Sequence, residues 1–179
     1  MPTIDPTGAR RRSFIYRKLL AAGAKFETLG DGTVATNFPK VRTGAIERLA
    51  ICDLSGLPRV GIKGLDTLDW LHGLGFDFDD TPNRTYCQAD GTVLAVLSPN
   101  EAALLSPLNT PNLMLKDLTD KYSPDNEARC YPVPRADTNF EFLVSGRHSA
   151  EMFSKMCGVN LQPRAFNANY LAQTLVACI

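Results

Sequence analysis

Residues 60–78 read VGIKGLDTLDWLHGLGFDF, and residues 142–161 read FLVSGRHSAEMFSKMCGVNL. Both open on a short apolar run, meet a glycine, continue through apolar positions at helical spacing, and meet a second glycine. Laid together, Gly64 falls on Gly146, Trp70 on Met152, Leu71 on Phe153 and Leu74 on Met156. With one residue inserted, 75–78 fall on 158–161. Strand, glycine turn, amphipathic helix and glycine stop therefore occur twice in the same order. This is the sequence pattern of an internal duplication.

Working outward from the first copy, residues 59–63 alternate as a half-buried strand does, and Asp66 stands where a helix N-cap or first-turn acid belongs. Leu65, Leu68 and Leu71 then recur at helical spacing, with Trp70 beside them, before Gly73 and Gly75 end the helix. Three further strands are expected at 85–89, 92–97 and 102–106, the first two joined at Asp90-Gly91. Upstream, 13–23 reads as a helix capped by Ser13 with Phe14, Leu19 and Leu20 facing inward, then a hairpin about Asp31-Gly32. Residues 43–50 read as helical and 51–54 as a short strand. Downstream, 113–122 reads as a short helix, and 123–139, rich in proline and polar residues, reads as a linker. The second copy has room for two strands, about 164–167 and 171–179. The expected organisation is an N-terminal arm (1–48), a first repeat unit (49–112), a linker with a short helix (113–138) and a truncated second unit (139–179).

Composition narrows the function. Hydrophobic residues make up 44% of the 179-residue chain, and 19 basic residues balance 19 acidic ones. A neutral protein has no long-range field with which to gather nucleic acid or an anionic membrane. No apolar run reaches the roughly 20 residues of a membrane span. Cysteines stand at 52, 87, 130, 157 and 178; an odd number with no close pair points to reduced thiols in a cytosol. No glycine-rich phosphate loop and no nucleophile elbow occurs, so the chain is expected to hold no NAD or flavin of its own.

Three blocks carry a family resemblance: RRSFIYRKLLAAGAKFETLGDG (11–32), AICDLSGLPRVGIKGLDTLDWLHGLG (50–75) and VSGRHSAEMFSKMCGVNLQPRAFNANYLAQTLVACI (144–179). In this order they resemble the glycine-cleavage T-protein (aminomethyltransferase, folate-binding) superfamily. The match is closer to its sarcosine oxidase gamma subunit branch, which also favours Leu-Pro-Arg after Asp-Leu-Ser. The resemblance implies an α+β, T-protein-like folate-binding-domain fold of two duplicated strand-helix-antiparallel-sheet units, the second incomplete. It implies a subunit without its own active site, in a sarcosine oxidase-like complex that oxidises an N-methyl amine and passes the one-carbon unit to tetrahydrofolate. FAD, FMN and NAD would then lie in alpha- and beta-type partner subunits, and tetrahydrofolate is the one ligand left open for this chain.

Two departures bear on chemistry. The superfamily's Asn-Asp segment after the first repeat helix is replaced by GLGFDFDD (73–80), where Asp77 is the nearest acid. Its Gly-Tyr-Thr-Gly-Glu segment has no counterpart. Asp77 is thus the candidate catalytic residue for the rival reading, a stand-alone tetrahydrofolate-dependent methyl- or aminomethyltransferase. A third reading, a folate-binding accessory protein, would need a late cysteine motif that is absent. His72 and His148 lack the partner spacing of a metal site. Partner-binding candidates are Arg10, Arg11 and Arg12, beside Phe14 and Tyr16, and Leu175 and Val176 in the uncharged run TLVACI. That run is expected to form an edge strand that draws self-association.

Overall fold

The computed structural model describes residues 3–29, 32–39, 44–108, 113–123 and 127–177. In chain order its elements are a 3-10 turn (Pro6–Gly8), α1 (Tyr16–Ala21), β1 (Lys25–Leu29), β2 (Gly32–Asn37), α2 (Ala45–Arg48), β3 (Ala50–Asp53), β4 (Arg59–Gly64) and α3 (Thr67–Gly73). These are followed by β5 (Arg84–Cys87), β6 (Val93–Ser98), β7 (Glu101–Leu105), α4 (Leu113–Lys121), β8 (Cys130–Val133), α5 (Arg135–Thr138), β9 (Phe142–Ser145) and α6 (Ser149–Ser154). The backbone divides into two compact units. One is Met1–Leu57 with Ala136–Phe153, the other Pro58–Arg135 with Ser154–Ile179.

The second unit is built on an antiparallel sheet of order β5-β6-β7-β4-β8. Its register places Ile62 opposite Ala102 and Ala102 opposite Val96, and likewise Val60, Leu104 and Leu94 in one row. Directly opposed residues share a face, so the alternation in each strand turns these side chains the same way. Ile62, Leu94, Val96, Ala102 and Leu104 are fully buried there, with Leu68 and Leu71 of α3 and Leu115 and Leu118 of α4. The other face is made of small residues along the row Ala95, Ala103 and Gly61. Arg135 lies over it, 2.9 Å from where a Cβ on Gly61 would stand, and its guanidinium pairs with Glu101.

Strand β8 lies within the proline-rich stretch read as a linker, and sequence patterning did not place it. It pairs with β4, with Pro132 opposite Ile62. Gly64 donates its amide to Asn100, on the β7 side, so by antiparallel alternation Ile62 also turns its amide to β7. Pro132, which has no N–H, therefore sits where none is required, on the sheet's edge.

The first unit holds the β1–β2 hairpin and a two-stranded ladder of β3 with β9. Phe26 is its large buried side chain. Helix α1 is shorter than expected. Phe14 and Leu20, expected to face inward, are exposed, and only Leu19 is half-buried. The hairpin tip at 30–31 lies outside the described residues.

Other expectations fare unequally. Strands β4 to β7 fall within a few residues of where alternation places them. Asp66 does not cap α3 through its side chain; its carboxylate instead takes three bonds from Arg129, one from the amide and two from the guanidinium. Those bonds hold the Asp66 carboxyl down at about 2. Leu65 is exposed. The expected strands at 164–167 and 171–179 do not form: 164–167 is a turn, and 171–177 contains no strand. Tyr170 makes one isolated bridge, to Arg84.

The two strand–glycine–helix segments share local geometry. Gly64 and Gly146 have φ of +143° and +105°, conformations that side chains rarely adopt. The hydroxyl of Thr67 returns to the Gly64 carbonyl at 2.8 Å, and that of Ser149 to the Gly146 carbonyl at 2.6 Å. A Cβ on Gly64 would stand 2.1 Å from the Arg129 carbonyl oxygen, and one on Gly146 2.4 Å from the Arg48 carbonyl carbon. Helix burial differs: Leu71 is fully buried, its aligned Phe153 only half-buried.

Gly64→Ala is expected to cost about 2–5 kcal/mol, the strain of the positive φ adding to the backbone collision. Chemical unfolding measures it. Leu71→Ala should cost about 2–5 kcal/mol, as buried truncations do, and Phe153→Ala should cost less than Leu71→Ala.

Candidate functional site

A cleft of about 770 Å³ opens in the second unit between the loop after α3, strand β5 and residues 168–169. It is lined by Asp77, Phe78, Asp79, Thr81, Arg84 and Tyr86 together with Thr85, Cys87, Ala168 and Asn169. The loop is held from beneath by one buried side chain. Gln88 donates its amide to the Asp77 carbonyl at 2.9 Å and accepts the Asp77 N–H at 2.9 Å. This double bond to the backbone fixes where Asp77 stands and leaves its exposed carboxylate on the rim. Among the described residues no hydrogen bond to that carboxylate is found.

The neighbouring acids are differently employed. Asp79 accepts the Thr81 N–H at 2.9 Å, closing an Asx turn, and accepts the Tyr86 hydroxyl. The Thr81 bonds first, then the Tyr86 bond, hold the Asp79 carboxyl down at about 2. Burial first, then the negative Asp79 beside it, pushes the Tyr86 phenol up to about 12. Tyr86 is thus a protonated donor fixed on Asp79. Asp80 bonds His72 at 2.9 Å, and the His72 ring stacks flat on Phe78 with centroids 4.0 Å apart.

On the far side, Asn83 and Asn169 both occupy the left-handed region, at φ 61° and 67°. Asn is among the few non-glycine residues that do so readily. Thr85 donates its amide to the Asn169 carbonyl and Leu171 donates its amide to the Asn83 carbonyl, each at 2.9 Å. The Arg84–Tyr170 bridge lies between these two bonds, with the guanidinium 3.7 Å from the Tyr170 ring centroid.

Of the candidates drawn from sequence, only Asp77 lines this cleft. Sequence reasoning missed Tyr86 and Arg84; the one signal available was an Asn ahead of each bridge residue, Asn83-Arg84 and Asn169-Tyr170. In the first unit Arg11 pairs with Asp137 at 2.9 Å, Arg12 lies 4.8 Å over the Tyr16 ring, and Arg10 is exposed. Leu175 and Val176 are exposed but belong to no strand. His148 meets Glu151 at 3.2 Å. Among the described residues no three His, Cys, Asp or Glu side chains converge as metal ligands. Burial pushes the Cys52 and Cys130 thiols up, so neither is an activated nucleophile. Among the described residues no helix is long and apolar enough to cross a membrane.

Chemically, the cleft offers one open carboxylate, Asp77, beside a tyrosine and an aspartate already bonded to each other. It can accept a hydrogen bond from a ligand at Asp77. The other acid that lines it among the described residues, Asp79, is already bonded to Thr81 and Tyr86.

No family model and no curated protein sequence matches the chain. Its fold is similar to a chain of heterotetrameric sarcosine oxidase from Corynebacterium sp. U-96, solved with pyrrole 2-carboxylate. The TM-score is 0.59 at 17% identity, over 75% of this chain and 71% of that one. It is also similar to the glycine cleavage system aminomethyltransferase T from Bartonella henselae, with TM-score 0.56 at 12% identity over 81% of this chain. There it spans 43% of the other chain. The mixed helix–sheet fold is therefore T-protein-like.

In Tyr86→Phe the Asp79 carboxyl should titrate closer to the ordinary aspartate value of about 3.9. A carboxyl held low in the fold stabilises it fully above the unfolded-state value, and that contribution is lost as pH falls from about 4 towards 2. The variant should lose less stability across that window than the wild type. Carboxyl-carbon NMR titration of Asp79 checks it.

Proposed function

We propose that this chain is a non-catalytic subunit of a sarcosine oxidase-like complex that oxidises an N-methyl amine and is linked to tetrahydrofolate. The supporting observation is the fold likeness to a chain of a heterotetrameric sarcosine oxidase, which this chain matches over 71% of that chain's length. The cleft fits a scaffolding role: its acids apart from Asp77 are engaged within the loop, and its tyrosine is held as a donor. On this reading FAD, FMN and NAD belong to larger partner subunits in the cytosol, and this chain supplies binding surface. Arg10, Arg11 and Arg12 with the exposed Phe14, and Leu175 with Val176, are the surfaces proposed for those partners. The shared geometry at Gly64 and Gly146 supports descent of the two segments from a duplicated unit.

A second reading is favoured by one observation, the exposed Asp77 carboxylate on the cleft rim. It is a tetrahydrofolate-dependent aminomethyl- or methyltransferase.

Co-expression with the flavin-containing oxidase subunits of its source organism, followed by purification on a tag carried by this chain, tests the first reading. A stoichiometric complex with peroxide formation dependent on an N-methyl amine is expected. Failure to co-purify, together with calorimetry showing micromolar tetrahydrofolate binding that Asp77→Asn abolishes, would replace the subunit reading with the transferase reading.

A further inference from the structure

The cleft of the second unit holds two groups of opposite charge that the loop and the sheet leave unused. Asp77 is exposed on its rim, and Arg84 lines it from β5. Among the described residues no hydrogen bond or ion pair reaches either the Asp77 carboxylate or the Arg84 guanidinium. Arg84 acts on Asp79 only as the last of the groups that hold that carboxyl low. Elsewhere in this unit opposite charges meet directly. Asp66 pairs with Arg129, Glu101 with both Lys63 and Arg135, and Asp80 with His72.

Both groups stand on backbone that is already fixed. Gln88 bonds the Asp77 backbone in both directions. Arg84 lies between two reciprocal bonds, Thr85 to the Asn169 carbonyl and Leu171 to the Asn83 carbonyl, and its guanidinium rests 3.7 Å from the Tyr170 ring centroid. Arg84 and Tyr86 stand opposite Val96 and Leu94, so they share one face of β5. The Tyr86 hydroxyl in turn bonds Asp79, two residues along the loop from Asp77. Two residues span at most about 7 Å of backbone. The Asp77 and Arg84 backbones thus each lie within that distance of a residue in the Tyr86–Asp79 bond, and one short molecule can reach both charges. The Phe78 and Tyr86 rings, with centroids 6.1 Å apart, line the same cleft and offer it apolar surface.

We infer that the cleft binds a small zwitterion, its ammonium on the Asp77 carboxylate and its carboxylate on the Arg84 guanidinium. The planar guanidinium suits a carboxylate because two of its N–H donors can bond the two oxygens at once. A plain amine leaves Arg84 unmatched, and a plain carboxylate leaves Asp77 unmatched. A molecule carrying both charges answers both groups, and no bond is made or broken. Asp77 is exposed and Arg84 only partly buried, so affinity is on the order of millimolar and weakens as salt is added. The inference rests on neither the subunit nor the transferase reading, because it uses only charges that this chain supplies.

Titration of the isotope-labelled chain, followed by NMR at the Arg84 Nε–H and Asp77 carboxyl-carbon signals, tests it. The probes are straight-chain ω-amino acids, from glycine through β-alanine and γ-aminobutyrate to δ-aminovalerate, with propylamine and propionate as single-charge controls. One length should shift both signals and bind at least about tenfold more tightly than either control, since the first contact delivers the second charge at high effective concentration. Asp77→Asn, which keeps the backbone bonds to Gln88, should remove that advantage without weakening propionate. Three results would each overturn the inference. They are no saturable shift at concentrations well above millimolar, a single-charge control that binds as tightly as the best amino acid, or an Asp77→Asn chain that keeps the advantage. None of them bears on co-purification with oxidase subunits, so the subunit reading stands or falls separately.

Discussion

Strand β4 is the element on which the second unit depends, because both of its edges are bonded. Its outward amides alternate between β7 on one side and β8 on the other. Both edges of a strand in that position are taken by backbone bonds, which leaves its sequence to answer to its two faces. Its sequence follows: Ile62 goes to the buried face, Gly61 to the face under Arg135, and Gly64 ends the strand where the Arg129–Cys130 backbone passes too close for a side chain. The burial of Leu68 and Leu71 follows in turn, because the glycine turn aims α3 back over this sheet.

The cleft inherits its geometry from the same sheet. Strand β5 is held at one end of the strand order by β6, and the loop leaving α3 is tied to it through Gln88 and through Tyr86 with Asp79. The first tie is between neutral groups and is indifferent to pH. The second contains an ionised acceptor and responds to acid. The loop's position is thus set by backbone bonding, and the Asp79 charge is held by Thr81 first and Tyr86 second. Asp77, between the two ties, is the group left facing solvent.

Much of the second unit was legible in the sequence. Alternation, the Asp90-Gly91 turn and the spacing of Leu68 and Leu71 locate β4 to β7 and α3, since a strand or helix buried on one face must repeat at that face's period. Strand β8 was hidden because an edge strand need not alternate cleanly, and its Pro132 reads locally as a breaker. Helix α1 misled because Phe14 and Leu20 are apolar yet exposed; Phe14 meets Phe140 edge-on, with ring centroids 6.4 Å apart. Residues 171–177 misled for a related reason. An apolar, uncharged run has the composition of a strand, but a strand forms only where another offers its amides.

The sequence by itself determined the neutral charge, the glycines that end each segment, the hairpins and the acidic loop carrying Asp77. Each of these rests on local physics: a positive φ, a turn type or a periodicity that neighbouring residues specify. Only the tertiary structure decided that β3 pairs with β9, where Ser55 and Glu141 bond although 86 residues apart. The same is true of the Arg84–Tyr170 bridge and of the tyrosine that holds Asp79. Those partners are chosen by which backbone amides remain unpaired once the sheets have formed, and no local pattern in the chain records that remainder.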